Sequence, residues 1–320
     1  GDIILKVDGE SIRDLPVNKS VDLMRGPTGS EVMLTIGRRG VADPFDVAVI
    51  RDIIKVASVR SRELMEGYLW LRASQFQKDT GLEAISTLEK ALTKGALKGV
   101  VLDLRNNPGG VLGASVDMAG AVLDGGLVVY TEGRHPQAAD RYEAAAGDLL
   151  NGTPIVVLIN GGSASASEIV AGALQDRRRA VIMGTRSFGK GSVQTILPVS
   201  DTRAVKLTTA LYYTPDGRSI QAEGIVPDIV VERAEVKSVE SERRTKEADL
   251  QGSLSGGDPV DAQSESESLT ELRNSDNQLY EALTLLRGIN LLTPEAAPAE
   301  EIEVELESEE TAATVVTDTP

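Results

Sequence analysis

Two short motifs carry the chemistry that this chain could perform. A glycine-framed serine cluster, Gly161-Gly162-Ser163-Ala164-Ser165-Ala166-Ser167-Glu168, is followed by Phe188-Gly189-Lys190-Gly191-Ser192-Val193-Gln194, so that Lys190 stands 25 positions after Ser165. The chain has one histidine, His135, and no cysteine. An attacking serine needs a base to take its proton, and a neutral lysine can do what imidazole usually does. Together the two motifs point to a Ser-Lys hydrolase.

The serine cluster follows an apolar strand and opens a helix. A serine there sits among unpaired backbone N–H groups at the positive end of the helix dipole, where an oxyanion is stabilised. The plainer reading is that Ser165-x-x-Glu168 is a capping box that only starts the helix. The motif alone does not choose among Ser163, Ser165 and Ser167. Lys190 falls on a turn between two predicted strands, and glycines on both sides let other backbone approach it. To act as a base it must be kept neutral by apolar burial; Gln194 could orient the amine without adding a charge. As a plain alternative it is a surface lysine in a turn. Gly184-x-x-x-x-Gly189-Lys190 imitates a phosphate loop, but Gly191 replaces the required Ser or Thr and a strand follows instead of a helix, so nucleotide binding is rejected. A third segment, Asp103-Leu104-Arg105-Asn106-Asn107-Pro108-Gly109-Gly110, joins a buried strand to a helix. Its diglycine exposes backbone N–H groups, and Gly110 is the candidate second oxyanion donor beside Ala166; otherwise it is a simple turn. His135 reads as a solvated loop residue.

These loops need a scaffold. Residues 1–50 read as a β-rich unit: a strand over Ile3–Val7, a turn at Asp8-Gly9, a helix over Asn18–Met24 ended by Gly26-Pro27, and an alternating strand over Glu31–Arg38. From about Ile53 to Val231 strands and helices alternate. Strands are predicted over Tyr68–Arg72, Gly99–Leu104, Pro154–Ile159, Ala180–Met183, Val193–Pro198 and Val205–Tyr213. Helices are predicted over Gly81–Lys94, Leu112–Leu123 and Ser165–Gln175. The unbroken apolar strands suit buried parallel positions, so the core is α/β.

The net charge of −16 over 320 residues is local. From Ala234 onward there are 21 acidic and 6 basic residues, whereas the first 233 residues hold 28 and 27. A near-neutral body carries no electrostatic footprint for nucleic acid. Without cysteine there are no disulfides, thiolate metal sites or cysteine nucleophile. No apolar run reaches the length of a membrane-spanning helix, and the first residues do not read as a signal peptide. Gly1-Asp2-Ile3-Ile4 reads as the middle of a domain, so the chain is expected to be a fragment. The acidic tail lacks hydrophobic period and is expected to be disordered, except for one helix that Ser275-Asp276 could cap, with Leu279, Ala282, Leu283 and Leu286 on one face and an end at Gly288.

The three linked motifs, in order and spacing, resemble the C-terminal processing peptidases, or tail-specific proteases, over roughly residues 1–231. The resemblance implies a crotonase-like protease core at 53–232 preceded by a partial PDZ domain at 1–52, whose N-terminal half is missing, with the acidic tail at 233–320 and its short helix near 276–288. It implies Ser165 as nucleophile, Lys190 as general base, Gln194 as the residue orienting that base, and Gly110 and Ala166 as the oxyanion hole. It further implies no cofactor or metal, protein substrates with flexible C-termini, a homo-oligomer or an adaptor partner, membrane association through an N-terminal segment, and a place in the cell envelope or periplasm. Two other readings are weighed: a peptide-binding adaptor with an inactive core, and an acyl-CoA enzyme, for which no carboxylate is placed by a motif.

Overall fold

The computed structural model describes residues 1–53, 57–135, 139–236 and 262–292. The chain forms two compact units, Gly1–Ala57 and Ser58 onward. In the first, β1 (Ile3–Val7), β2 (Glu10–Ser11), α1 (Val17–Met24), β3 (Glu31–Gly37) and β4 (Phe45–Ile50) follow in sequence, and the strands form an antiparallel sheet in the order β2-β1-β3-β4. The fourth strand is an addition to the sequence reading. Its alternation of Phe45, Val47 and Val49 with Asp46 and Ala48 is the strand signal that reading passed over.

The second unit contains β5 (Val59–Met65), β6 (Tyr68–Ala73), α2 (Thr80–Leu92), β7 (Gly99–Asp103), α3 (Leu112–Gly120), β8 (Gly126–Gly133), β9 (Arg141–Ala144), β10 (Ile155–Ile159), α4 (Ala166–Asp176), β11 (Ala180–Gly184), β12 (Ser192–Ser200), β13 (Arg203–Tyr213), β14 (Ile229–Val230), α5 (Ala262–Ser275) and α6 (Asn277–Leu292). Six strands form one sheet in the order β14-β11-β10-β7-β6-β5. All neighbours are parallel except the edge strand β5, which pairs antiparallel with β6. β12-β13-β8-β9 form a second, antiparallel sheet.

Every residue of β7 (Gly-Val-Val-Leu-Asp) and β10 (Ile-Val-Val-Leu-Ile) is buried, because both faces of the parallel sheet are covered. Alternate residues point to opposite faces. Val100, Leu102, Ile155, Val157 and Ile159 join one apolar cluster with residues of α2, α3 and α4. Val101, Val156, Leu158 and Met183 join another, closed by Leu279, Ala282, Leu283 and Leu286 of α6. The strand order explains the division. The sheet winds in one direction without reversing, and right-handed crossovers then put all their helices on one face. The opposite face has to be covered by something outside that run, and α6 covers it.

Two sequence expectations about the tail change. Residues 262–275, read as disordered, are helical, and Leu269 and Leu272, one helical turn apart, pack against the second cluster. The helix expected to end at Gly288 runs to Leu292. The rest of the acidic tail, 237–261 and 293–320, lies outside the described residues. No helix among the described residues is long and apolar enough to cross a membrane.

Candidate active site

The serine cluster and the diglycine segment emerge from the carboxyl ends of β10 and β7, adjacent parallel strands. Open α/β sheets place their sites at that edge. The two loops are stitched together. Ala164 N–H donates to the Asn107 carbonyl over 3.0 Å, and the hydroxyls of Ser163 and Ser167 donate to the carbonyls of Leu104 (2.8 Å) and Asn107 (2.9 Å). Both serines are fully buried. Ser165 differs from them: it is half-buried, and among the described residues its hydroxyl proton has no acceptor. Two of the three serines are thus structural, and one is free for chemistry.

Ser165 has φ +55° and ψ −112° at the N-cap of α4. A non-glycine residue held there costs on the order of 1–3 kcal/mol, and such strain persists only where the surroundings over-determine it. They do so here through Glu168. The capping box read from the sequence is present, but the Glu168 carboxylate, 0% exposed, does more than cap. Its Oε2 accepts from the N–H groups of Ser165 (2.7 Å) and Lys190 (2.9 Å). Its Oε1 accepts from the Ser187 hydroxyl and the Gly189 N–H, both at 2.6 Å. The sequence reading gave this glutamate a local role only; in the fold it is the clamp between the serine and lysine motifs. Because both donate to one oxygen, the backbone nitrogens of Ser165 and Lys190 cannot be more than 5.6 Å apart.

Lys190 is half-buried and Gln194 is exposed on β12. No hydrogen bond joins the side chains of Ser165, Lys190 and Gln194 to one another among the described residues. Among the described residues, the loops around the serine leave two donors open. From Ser163 to Ile169 every backbone N–H has an acceptor except that of Ala166. From Leu104 to Val111 every N–H has one except that of Gly110; Pro108 has none to give. A buried N–H without an acceptor is rare, and Ala166 is buried; Gly110 is exposed. Both residues are among those selected from the sequence. Gly109 packs the loops together: with φ +93°, a Cβ there would lie 2.8 Å from the Ser165 Cβ and 2.9 Å from the Ala166 nitrogen. Gly110, at φ +147°, has its Cβ position against the Phe76 carbonyl oxygen. His135 is exposed in a loop.

A strained, half-buried serine whose loop is clamped to a lysine-bearing loop at the edge of a parallel sheet is an arrangement that could support nucleophilic hydrolysis. The comparisons agree in class: residues 67–231 match peptidase family S41, and the chain belongs to that family. A carboxy-terminal-processing protease of Bartonella bacilliformis is 49% identical over 294 residues, covering 90% of this chain and 67% of that protein. A carboxyl-terminal-processing protease of Synechocystis is 37% identical over 254 residues, covering 78% of this chain and 58% of its own length. Among solved structures, a photosystem II D1 C-terminal processing protease matches with TM-score 0.51 and 33% identity over 72% of this chain and 63% of that one. The chain spans about three-fifths of the length of these relatives.

Proposed function

We propose that the protein is a serine endopeptidase that cleaves proteins near their C-termini. Lys190, neutral when it acts, takes the proton of Ser165, and the serine oxygen attacks the peptide carbonyl to give an acyl-enzyme that water hydrolyses. The N–H groups of Gly110 and Ala166 receive the oxyanion. Gln194 orients the lysine amine once the side chain of Lys190 has swung towards the serine. Residues 1–52 belong to a PDZ domain and 53–232 form a crotonase-like core, with flexible protein tails as substrates and the cell envelope as location; these finer assignments rest on the family likeness.

The observation that carries the reading is a half-buried, strained serine with two open N–H groups, those of Ala166 and Gly110, in the two loops packed together there. An adaptor that only held peptides would have no use for it. The test is cleavage of an unfolded model protein, followed by mass spectrometry, with the parent, Ser165→Ala and Lys190→Ala. Each substitution should lower kcat on the order of 10⁴-fold or more with the fold intact, as when a nucleophile or its base is lost. Undiminished cleavage by Ser165→Ala would overturn the assignment, and cleavage by Lys190→Ala alone would remove the lysine from it.

A further inference from the structure

Helix α6 lies outside residues 67–231, yet its first turn reaches the site. Asp276 caps α6, accepting from the Leu279 N–H over 3.1 Å, and it also faces Arg105. The pairing is a two-pronged fork, Nη1 to Oδ1 at 2.8 Å and Nη2 to Oδ2 at 2.7 Å. Arg105 Nη1 donates in addition to the Gln278 side-chain oxygen at 2.9 Å. The other edge of the guanidinium binds Asp103, with Nε to Oδ1 at 2.9 Å and Nη2 to Oδ2 at 2.8 Å. Asp103 is 0% exposed and also accepts from Trp70 and Arg72. The same start of α6 holds the end of the core, since Asn277 and Gln278 donate to the carbonyls of Glu232 and Val231.

Arg105 is the hinge of the oxyanion loop. Its N–H is held by Asp103 and its carbonyl by Arg72. The next residue, Asn106, has φ +55°, so the chain turns sharply there. Beyond it Asn107 binds the Ala73 carbonyl and the Gly109 N–H, and Gly110 follows with its N–H open. The direction of that N–H is therefore set by a rigid path that begins at the Arg105 side chain. Asp103 grips one edge of this side chain, and Asp276 grips the edge that would otherwise face the bare end of the sheet.

We propose that Asp276 is a positioning residue for catalysis: by clamping Arg105 it fixes the 104–111 loop and the aim of the Gly110 N–H, so that α6 is a working part of the active site as well as a cover for the sheet. The proposal deepens the peptidase reading and rests on it for its kinetic consequence, but its structural consequence stands alone.

The discriminating variant is Asp276→Asn. Asparagine keeps the size and capping oxygen needed by α6 but turns an amide donor toward one prong of the guanidinium. Leu283→Ala is the control, since it loosens the apolar docking of α6 without touching Arg105. Two quantities are read on the full chain: amide hydrogen exchange across residues 104–111, and kcat and KM for an unfolded protein substrate. Asp276→Asn should speed exchange in that loop and lower kcat about ten- to a hundredfold with KM little changed, the scale of effect of a small misplacement at a reacting centre. Leu283→Ala, brought to the same distance from its melting temperature, should retain more activity. Parental exchange in the loop of Asp276→Asn would overturn the proposal whatever the enzyme does. So would a kcat loss no larger than that of Leu283→Ala. Undiminished cleavage by Ser165→Ala would instead sink the peptidase reading, leaving the exchange result to decide this one.

Discussion

Glu168→Gln tests whether one carboxylate holds the serine and lysine motifs together. The substitution is nearly isosteric, so any effect comes from hydrogen-bonding character. The amide oxygen can keep the Ser165 and Lys190 N–H groups if the amide nitrogen takes the Oε1 place. There it can donate to the Ser187 hydroxyl, but it meets the Gly189 N–H head on. A buried donor left without an acceptor costs about 1–3 kcal/mol, and the retained bonds lose the roughly 1 kcal/mol each by which a charged acceptor exceeds a neutral one. Against this stands the relief of no longer burying a charge, which offsets part of the loss. A net destabilisation of about 2–4 kcal/mol is expected. For a unit of this size each kcal/mol moves Tm by about 2–4 °C, giving a fall of about 4–16 °C by calorimetry. Cleavage should fall more steeply than stability, because the bond that yields lies between the two motifs. Glu168→Asp should be no better, since the shorter side chain cannot reach all four donors. An unchanged Tm together with an unchanged kcat in Glu168→Gln would refute the clamp.

Three further outcomes follow from the same geometry. Gly109→Ala places a Cβ 2.5 Å from the Ala164 carbonyl oxygen at φ +93°; backbone strain alone amounts to about 1–3 kcal/mol, so thermal melting should drop and cleavage should vanish, whereas Gly113→Ala, with open space around it, should melt as the parent does. Leu283→Ala removes a fully buried side chain from the interface between α6 and the sheet, and chemical denaturation should show a loss of about 2–5 kcal/mol. Burial alone would raise the Asp276 pKa, but its hydrogen bonds and attraction to Arg105, the Leu279 N–H and the charge of Arg233 outweigh this and hold it below its ordinary 3.8. A depressed carboxylate pKa gives stability that is complete above the unfolded value and lost as pH falls through the folded one. The parent should therefore be more stable than Asp276→Asn at neutral pH, with its advantage shrinking as pH falls below 3.8 and gone only below the lowered folded pKa; an advantage that does not shrink in acid would mean that the charge of Asp276 is not what matters.

Much of the site was legible because its chemistry lies in contiguous motifs. Gly110 and Ala166 were candidates because a diglycine follows one strand and a helix start follows another, and the fold leaves both of their N–H groups without an acceptor among the described residues. What could not be read was the partnering between motifs. Which of Ser163, Ser165 and Ser167 is available depends on where Leu104 and Asn107 present their carbonyls, some 60 residues away in sequence. Glu168 looked like an ordinary cap because its other donors, Ser187, Gly189 and Lys190, belong to a separate loop. Central strands such as β7 and β10 announced themselves by unbroken apolar runs. β5 did not, because an edge strand with Arg60, Arg62 and Glu63 carries the charges that suit an edge. The helix at 262–275 was missed because serine and glutamate dominate its composition, with Leu269 and Leu272 the only marks of a buried side.

The strand order adds a constraint that no motif expresses. A parallel sheet built by crossovers in one direction covers itself on one face only, so Val101, Val156, Leu158 and Met183 need a partner from elsewhere in the chain. That partner is α6, which begins more than forty residues after the family region ends at 231. The segment matched as a peptidase is thus not a complete folding unit. Were it cut at 231, one face of β7 and β10 would be bare, and Arg105, which opens the loop leading to Gly110, would lose Asp276. Covering the sheet and bracing Arg105 are tasks of the same helix, one for its apolar face and the other for its first turn. Stability of the core and geometry of the site therefore depend on α6 together.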